Sequence, residues 1–165
     1  MRLTRYTDYA FRTLMYLALK DGDLSTIEEI ADRYHISNNH LMKVVHQLGL
    51  AGYIETTRGK GGGIRLAKKP SQINVGEVVR RTESDMDLVE CFGGGGSCRL
   101  TPACVLKSAL HKGLKAFLRE LDQFTLADLI RPERALAGLL ALEPPPRARS
   151  RIQAPQVRVA RASSV

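Results

Sequence analysis

The chain has 165 residues, with 25 basic and 17 acidic side chains and a formal net charge of +8 at pH 7. Its three cysteines all lie between residues 91 and 104, which is unlike the pattern of a disulfide-stapled secreted domain. No apolar run approaches the roughly 20 residues that cross a bilayer, and residues 1–8 lack the apolar core of a signal peptide, so we expect a cytoplasmic protein without a membrane anchor.

The basic charge is unevenly distributed along the chain. Residues 1–70 carry a net charge of +4, residues 71–143 a net charge of −1, and residues 144–165 five arginines and no acid. The last segment shows neither a helical nor a strand period, so we predict a disordered basic tail over 143–165. Such a tail is either a solvated appendage or a weak, sequence-independent contact with DNA phosphates.

Three helices are predicted at the start of the chain. The apolar period favours a first helix over 4–20, and Ser25 with Glu28 forms a capping-box pattern for a second helix that ends near Tyr34. Ser37 is then a suitable N-cap for a third helix. Its buried face is predicted to contain Leu41, Val44, Val45 and Leu48.

Two short strands follow the third helix. Residues 53–57 are rich in β-branched and aromatic side chains, and a second strand covers 64–66. Between them lies a glycine-rich loop that contains Arg58 and Lys60. The order helix, helix, helix, strand, loop, strand is that of a winged helix-turn-helix.

We therefore predict that residues 1–70 form a winged helix-turn-helix that binds double-stranded DNA. The N-terminal part of the third helix enters the major groove in such a domain, and cations of the wing contact phosphates or the minor groove. Winged helices that serve as protein-interaction modules are the alternative. The predicted DNA contacts are Ser37, Asn38, Asn39, His40, Lys43, Arg58 and Lys60.

The second half of the chain predicts a different unit. A helix is expected over 74–81, an irregular segment over 83–100, and a long helix over 101–123 that starts with Thr101 as N-cap and Pro102 after it. The long helix carries an apolar stripe suited to packing along another helix. Its members are Leu106, Leu110, Leu114, Phe117 and Leu121. The fold class is therefore mainly α with a small β wing and a long dimerisation helix.

The three cysteines have the spacing Cys91-x6-Cys98-x5-Cys104. Structural zinc usually takes four ligands in closely spaced pairs, and this segment contains no such pair. Three thiolates on a glycine-rich loop can hold three irons of an iron–sulfur cluster, which needs a further ligand or an open position for the fourth iron. Spacing alone leaves open a cluster, a thiol redox switch, a zinc site and inert cysteines.

The sequence resembles the family of iron–sulfur winged-helix repressors over residues 1 to about 130. Within that family it is most similar to the members that respond to nitric oxide. The matching segments include Met1-Arg2-Leu3-Thr4, Asn39-His40-Leu41-Met42-Lys43, Arg58-Gly59-Lys60, Cys98-Arg99-Leu100-Thr101-Pro102-Ala103-Cys104 and Phe124-Thr125-Leu126-Ala127-Asp128.

The resemblance implies a homodimeric repressor of nitric-oxide detoxification genes. It implies that Cys91, Cys98 and Cys104 hold a cluster, most simply 4Fe-4S with 2Fe-2S as the alternative. The further ligand it implies is Asp8, delivered from the first helix of the partner subunit; without that role, Asp8 and Arg12 form an ordinary i, i+4 ion pair. Nitrosylation of the cluster is expected to release the operator. Residues 71–142 then form the cluster-binding loop and the dimerisation helix.

The sequence departs from the family pattern in two places. Relatives with a two-iron cluster use a histidine three residues after the last cysteine, where this chain has Lys107, and His111 lies one turn further on. The first cysteine gap is one residue longer than is common. The alternative function is a regulator that senses iron or cluster status. Because the sequence has no dinucleotide motif and no catalytic constellation, we expect no enzymatic activity.

Overall fold

The computed structural model describes residues 2–93 and 98–142. It is mainly α-helical with one two-stranded antiparallel sheet, which confirms the predicted fold class. The predicted tail over 143–165 and most of the glycine run at 93–96 lie outside the described residues. The elements are α1 (Arg5–Leu19), α2 (Ile27–Tyr34), α3 (Asn38–Leu50), β1 (Ile54–Thr57), β2 (Gly63–Leu66), α4 (Val75–Thr82), α5 (Val105–Leu121), α6 (Leu126–Leu129) and α7 (Glu133–Leu139).

Helix α1 lies at the centre of the hydrophobic core. Its apolar face buries Ala10, Leu14 and Leu17 almost completely. It contacts α2, α3, α4, α6 and β2, so elements from both halves of the chain pack on it. Burial of each large aliphatic side chain contributes about 1.5–3 kcal/mol. Thr4 caps the helix by accepting a hydrogen bond from the backbone N–H of Thr7.

The predicted capping box of α2 is wrong by one residue. Thr26, not Ser25, caps the helix by accepting a hydrogen bond from the backbone N–H of Glu29 at 3.0 Å. Ser25 instead forms an isolated antiparallel bridge with Ile64 of the wing, with backbone N···O distances of 3.0 and 2.8 Å. Because this bridge fixes the backbone of Ser25 against β2, the helix begins one residue later.

The joint between α2 and α3 is a tight turn. His35 ends α2 in the left-handed conformation with φ of 52°, and Ile36 follows it into the core. Ser37 occupies the N-cap position of α3 as predicted, but its side chain makes no capping hydrogen bond. The predicted inner face of α3 is confirmed, since Leu41, Val44, Val45 and Leu48 are all buried.

The wing is a short hairpin. Strands β1 and β2 pair in the register Ile54↔Leu66 to Thr57↔Gly63. The predicted first strand begins one residue too early, because Tyr53 precedes β1 and packs into the core. Gly62 is required in the connecting loop, since a Cβ there would lie 2.3 Å from the carbonyl oxygen of Thr57.

An ion pair connects helix α4 to the C-terminal end of α5. The Arg80 guanidinium donates two hydrogen bonds of 2.6 Å to the Asp122 carboxylate, which hold the pKa of Asp122 below its usual value. The approach is close because Gly76 has no side chain, and a Cβ there would meet Asp122 Oδ1 at 2.0 Å. Asn74, the predicted start of α4, caps this helix and also donates to the carbonyl of Asp122.

The long helix α5 begins later than predicted. Thr101–Ala103 form a single 3-10 turn, and Cys104 is the N-cap of a helix that starts at Val105. Within α5 only Leu114 is buried, while Leu106 of the predicted stripe is exposed and Leu110, Phe117 and Leu121 are half-buried. Leu106 is therefore the one exposed residue of the predicted stripe, and the other four are at least partly covered within the described chain. The short helix α7 was not predicted.

Two buried tyrosines provide a test of this packing. The Tyr16 hydroxyl donates to Glu29 at 2.6 Å, whereas the buried Tyr53 hydroxyl makes no hydrogen bond to a described residue. We expect Tyr16→Phe to lower the free energy of unfolding by about 1–2 kcal/mol and Tyr53→Phe to change it by less than about 0.5 kcal/mol at neutral pH. Urea denaturation measures both values.

Tyr53 also leads to a prediction of how stability changes at alkaline pH. Burial, followed by the charge of Glu77, raises the pKa of Tyr53 from 10.0 to about 12. Because the pKa of Tyr53 is higher in the folded than in the unfolded chain, its protonated hydroxyl contributes to the free energy of unfolding. This contribution is complete below pH 10.0 and is lost as the pH rises towards 12. Tyr53→Phe should reduce that loss. If Tyr53→Phe and the wild type gave the same alkaline unfolding curve, the raised pKa of Tyr53 would be contradicted.

Candidate functional site

The start of α3 presents an exposed polar surface. Ser37, Asn38, Asn39, His40 and Lys43 are all exposed, as expected for side chains that contact a partner rather than the core. Because the Ser37 hydroxyl is not used as a cap, it is free to donate or accept outside the helix. Asparagine can pair with adenine through two hydrogen bonds, and a lysine or histidine reaches guanine or phosphate.

The wing adds two cations to this half of the chain. Arg58 and Lys60 are exposed and form no ion pair with a described residue, whereas the neighbouring Arg65 is paired with Glu55 across the hairpin. An unpaired exposed cation is available to a phosphate, whereas one held by a carboxylate is not. The structure therefore leaves the two predicted wing residues accessible.

The cysteine segment, residues 83–104, is irregular over its described residues, as predicted. Cys91 is half-buried in a 3-10 turn over Glu90–Phe92, and Cys98 is exposed. Cys104 is half-buried, and its Sγ accepts a hydrogen bond of 3.4 Å from the backbone N–H of Lys107 at the start of α5. All three thiols are free.

The described residues do not assemble a metal site within one chain. In 2–93 and 98–142, no three His, Cys, Asp or Glu side chains are grouped closely enough to hold a metal ion. The donor set nevertheless fits an iron–sulfur cluster, because three unpaired thiols share one short segment that is free of long helices. The segment also contains a buried hydroxyl oxygen, Thr101 Oγ1, that has no partner among these residues.

Asp8, the ligand implied from the partner subunit, lies on the exposed side of α1. Its carboxylate forms a bidentate pair with Arg12, with distances of 2.9 and 3.1 Å. The Arg12 guanidinium also lies 5.8 Å from the ring centroid of Tyr34, the last residue of α2. The structure therefore connects Asp8, through Arg12, to the last residue of α2, just before the turn to α3.

One residue that sequence reasoning missed is Glu83, which follows α4. Its carboxylate accepts hydrogen bonds from the backbone N–H of Thr4 at 2.9 Å and from the Thr4 hydroxyl at 3.0 Å, and also from the Thr7 hydroxyl. A carboxylate at a helix N-terminus is favourable. Because the partners are 79 residues apart in sequence, no local pattern could indicate the contact.

Comparison with known proteins identifies the family. A family model described as Rrf2, iron-dependent transcriptional regulator, matches residues 3–132. The chain belongs to the Rrf2 family. The match covers the winged helix-turn-helix, the cysteine segment and α5, and it ends before the tail.

Two curated relatives of this Rrf2 chain have the same name. The HTH-type transcriptional regulator NsrR of Bacillus licheniformis is 53% identical over 143 residues, which are 86% of this chain and 100% of that protein. The protein of the same name from Bacillus subtilis is 50% identical over 145 residues, which are 87% of this chain and 99% of that protein.

Solved Rrf2 structures share the fold. T. potens IscR is 28% identical with a TM-score of 0.64, over 80% of this chain and 88% of that chain. The oxidized form of Staphylococcus aureus CymR is 26% identical with a TM-score of 0.65, over 79% of this chain and 97% of that chain. The chain is a DNA-binding transcriptional regulator of this family and is not an enzyme. No described helix is long and apolar enough to span a membrane.

The exposed side chains predict two distinguishable effects on DNA binding. Asn39→Ala should weaken operator binding by about 1–3 kcal/mol and relax the base preference, because it removes a base contact. Lys60→Ala should weaken binding to all sequences and reduce the slope of log K against log salt by about 1. Fluorescence anisotropy at several salt concentrations separates the two.

A cation outside the predicted interface serves as the control. Arg134 is exposed on α7, and Arg134→Ala should leave the affinity, the base preference and the salt slope at their wild-type values. An Asn39→Ala protein that retained its base preference would exclude that residue from sequence reading.

Proposed function

We propose that the chain is a homodimeric repressor of nitric-oxide detoxification genes that releases its operator when nitric oxide reacts with a bound cluster. Cys91, Cys98 and Cys104 hold the cluster in this proposal, with Asp8 of the partner subunit as the further ligand. The observation that carries it is the similarity to proteins named NsrR over almost their whole length, at 50–53% identity. The three free thiols in one segment support it.

The proposed cluster is of the 4Fe-4S type. Three cysteines and one carboxylate complete four ligands, and the histidine that a two-iron site of this family would use is replaced by Lys107. When bound, the cluster would supply one iron that is held by the carboxylate, which is a weaker ligand than the thiolates. That iron would therefore be open to a small diatomic ligand. Release of that carboxylate would act first on Arg12, its ion-pair partner within the chain.

The homodimer is supported by the exposed side of α5. Val105 and Leu106 are 81% and 65% exposed, and Leu100 just before them is 71% exposed. Large apolar side chains grouped in this way are typical of a surface that is covered in an assembly. A two-fold pair of chains would bring the cysteine segment of one subunit towards α1 of the other and set the distance between the two recognition helices.

The coupling to DNA passes through α1 in this proposal. In the described chain both oxygens of Asp8 are held by Arg12, which contacts Tyr34 beside the turn that begins the reading helix. Ligation of iron would take the carboxylate from Arg12, and its release would restore the ion pair. Glu83 fastens the first turn of α1 to the start of the cysteine segment. A hundredfold change in operator affinity requires a coupling of about 2.7 kcal/mol.

A second candidate is a regulator that responds to iron or cluster supply. It is favoured by the description of the family as iron-dependent and by the structural similarity to T. potens IscR. The two candidates share the site and the DNA contacts, and they differ in the signal.

The signal is tested by titrating nitric oxide into anaerobically purified protein while recording absorbance and operator binding together. We expect the visible cluster band to bleach as the operator is released. A protein that loses the band but keeps the operator would contradict nitric-oxide sensing and favour the iron-status regulator. A protein without any cluster after anaerobic reconstitution would contradict both.

Asp8→Ala tests the ligand from the partner subunit. We expect the cysteines to retain a cluster in this variant, while the operator affinity of the loaded protein falls towards that of the cluster-free protein, because α1 is no longer tied to the cluster. Asp23→Ala, which removes another exposed carboxylate, is the control. Equal affinities of loaded wild-type and loaded Asp8→Ala protein would rule out this role.

A further inference from the structure

The hydroxyl of Thr101 has a different role from the one its sequence position predicts. The Thr-Pro pair favours a helix N-cap, yet Cys104 caps α5 and Thr101 makes no capping hydrogen bond. Thr101 instead begins the 3-10 turn between the second and third cysteines, where its backbone N–H donates to the carbonyl of Cys98 at 3.2 Å. Its side-chain oxygen is therefore available for another contact.

The side chain of Thr101 differs from its neighbours in burial. Arg99, Leu100, Pro102 and Ala103 are all exposed, whereas Thr101 is half-buried and its Oγ1 is fully buried. A threonine at the surface of an irregular segment would normally keep its hydroxyl in water. Here the hydroxyl oxygen is instead shielded from water, in a residue that lies between Cys98 and Cys104 in the chain.

This hydroxyl has no acceptor within the described chain. Four buried side-chain oxygens lack a partner there, and Thr101 Oγ1 alone belongs to a residue between the cysteines. The others belong to Tyr6, Ser25 and Tyr53. A buried hydroxyl without a partner costs free energy, so native proteins rarely retain one unless a ligand, an ion or water completes its hydrogen bonds.

We propose that Thr101 donates its hydroxyl hydrogen to a sulfur of the bound cluster, either a cysteine thiolate or an inorganic sulfide. The inference rests on the proposed function, because it requires a cluster held by the flanking cysteines. Thr101 would then be a positioning residue that sets the electronic properties of the cluster without ligating iron. Hydrogen bonds to cluster sulfurs stabilise the more negative, reduced form and raise the reduction potential.

The experiment compares two variants of the full chain that differ in the donor. Thr101→Val keeps the shape of the side chain and removes the hydroxyl, whereas Thr101→Ser keeps the hydroxyl. Thr56→Val, in the exposed part of β1, is the control for loss of a hydroxyl elsewhere. Each protein is reconstituted anaerobically, and its reduction potential and its rate of cluster loss to a chelator are measured.

Thr101→Val should show a lower reduction potential and a cluster loss that is about tenfold faster, as expected for removal of a hydrogen bond to a charged acceptor. Thr101→Ser and Thr56→Val should match the wild type in both measurements. The thermal unfolding temperature of the cluster-free protein, followed by circular dichroism, should be equal or higher for Thr101→Val than for wild type, because the variant lacks the unpartnered buried hydroxyl. A threonine that only stabilised the fold would lower this unfolding temperature in Thr101→Val and leave the potential unchanged.

The outcomes separate this assignment from the proposed function. A loaded Thr101→Val protein with wild-type potential and wild-type cluster loss would overturn the role of Thr101 and leave the proposed function standing. If Thr101→Val loads no cluster, Thr101→Ser decides, because failure of the serine variant to restore a wild-type cluster would also overturn it. Absence of a cluster from the wild-type protein would contradict the proposed function itself.

Discussion

The burial of α1 is the constraint on which the remaining structure depends. Its inner face is formed by Ala10, Leu14 and Leu17, and helices from both halves of the chain pack against it. A helix enclosed in this way cannot shift without moving its neighbours, because close-packed interiors transmit small displacements. The reading helix α3 and the helix α4 that precedes the cysteine segment both contact it. A displacement of α1 would therefore also displace α3, whose exposed start is the predicted DNA-binding surface.

Two polar contacts decide how the cysteine segment is attached to this core. Glu83 connects the end of α4 to the first turn of α1, and Arg80 with Asp122 connects α4 to the end of α5. The far end of α5, which begins at Cys104, has mostly exposed apolar side chains and no such contact described. Helix α4 thus joins the winged domain to one end of α5.

The local features of the fold could be predicted from sequence, and the long-range ones could not. The inner face of α3 and the cap of α4 at Asn74 follow from helical period and cap chemistry, and both are confirmed. The caps assigned to Ser25 and Thr101 are wrong, because a bridge to the wing and a 3-10 turn compete with the local preference.

The same division applies to the candidate site. The exposed side chains at the start of α3 and in the wing could be placed from the order of the elements, and the cysteines from their spacing and the family resemblance. The Glu83 contact joins residues far apart in sequence, so no window of sequence contains it. The role of Asp8 as a ligand stays a prediction, because the atoms that it would bind belong to a second chain.

The irregular segment between Glu83 and Cys104 has a consequence for how such regulators diversify. The hydrogen bonds described within it join residues at most three apart, for example Phe92 with Val89 and Ala103 with Leu100. No hydrogen bond is described between residues 84–93 or 98–103 and the winged domain, and loops of this kind tolerate insertions at small entropic cost. A segment so loosely constrained can be exchanged for another with different chemistry while the reading helix and wing are left intact.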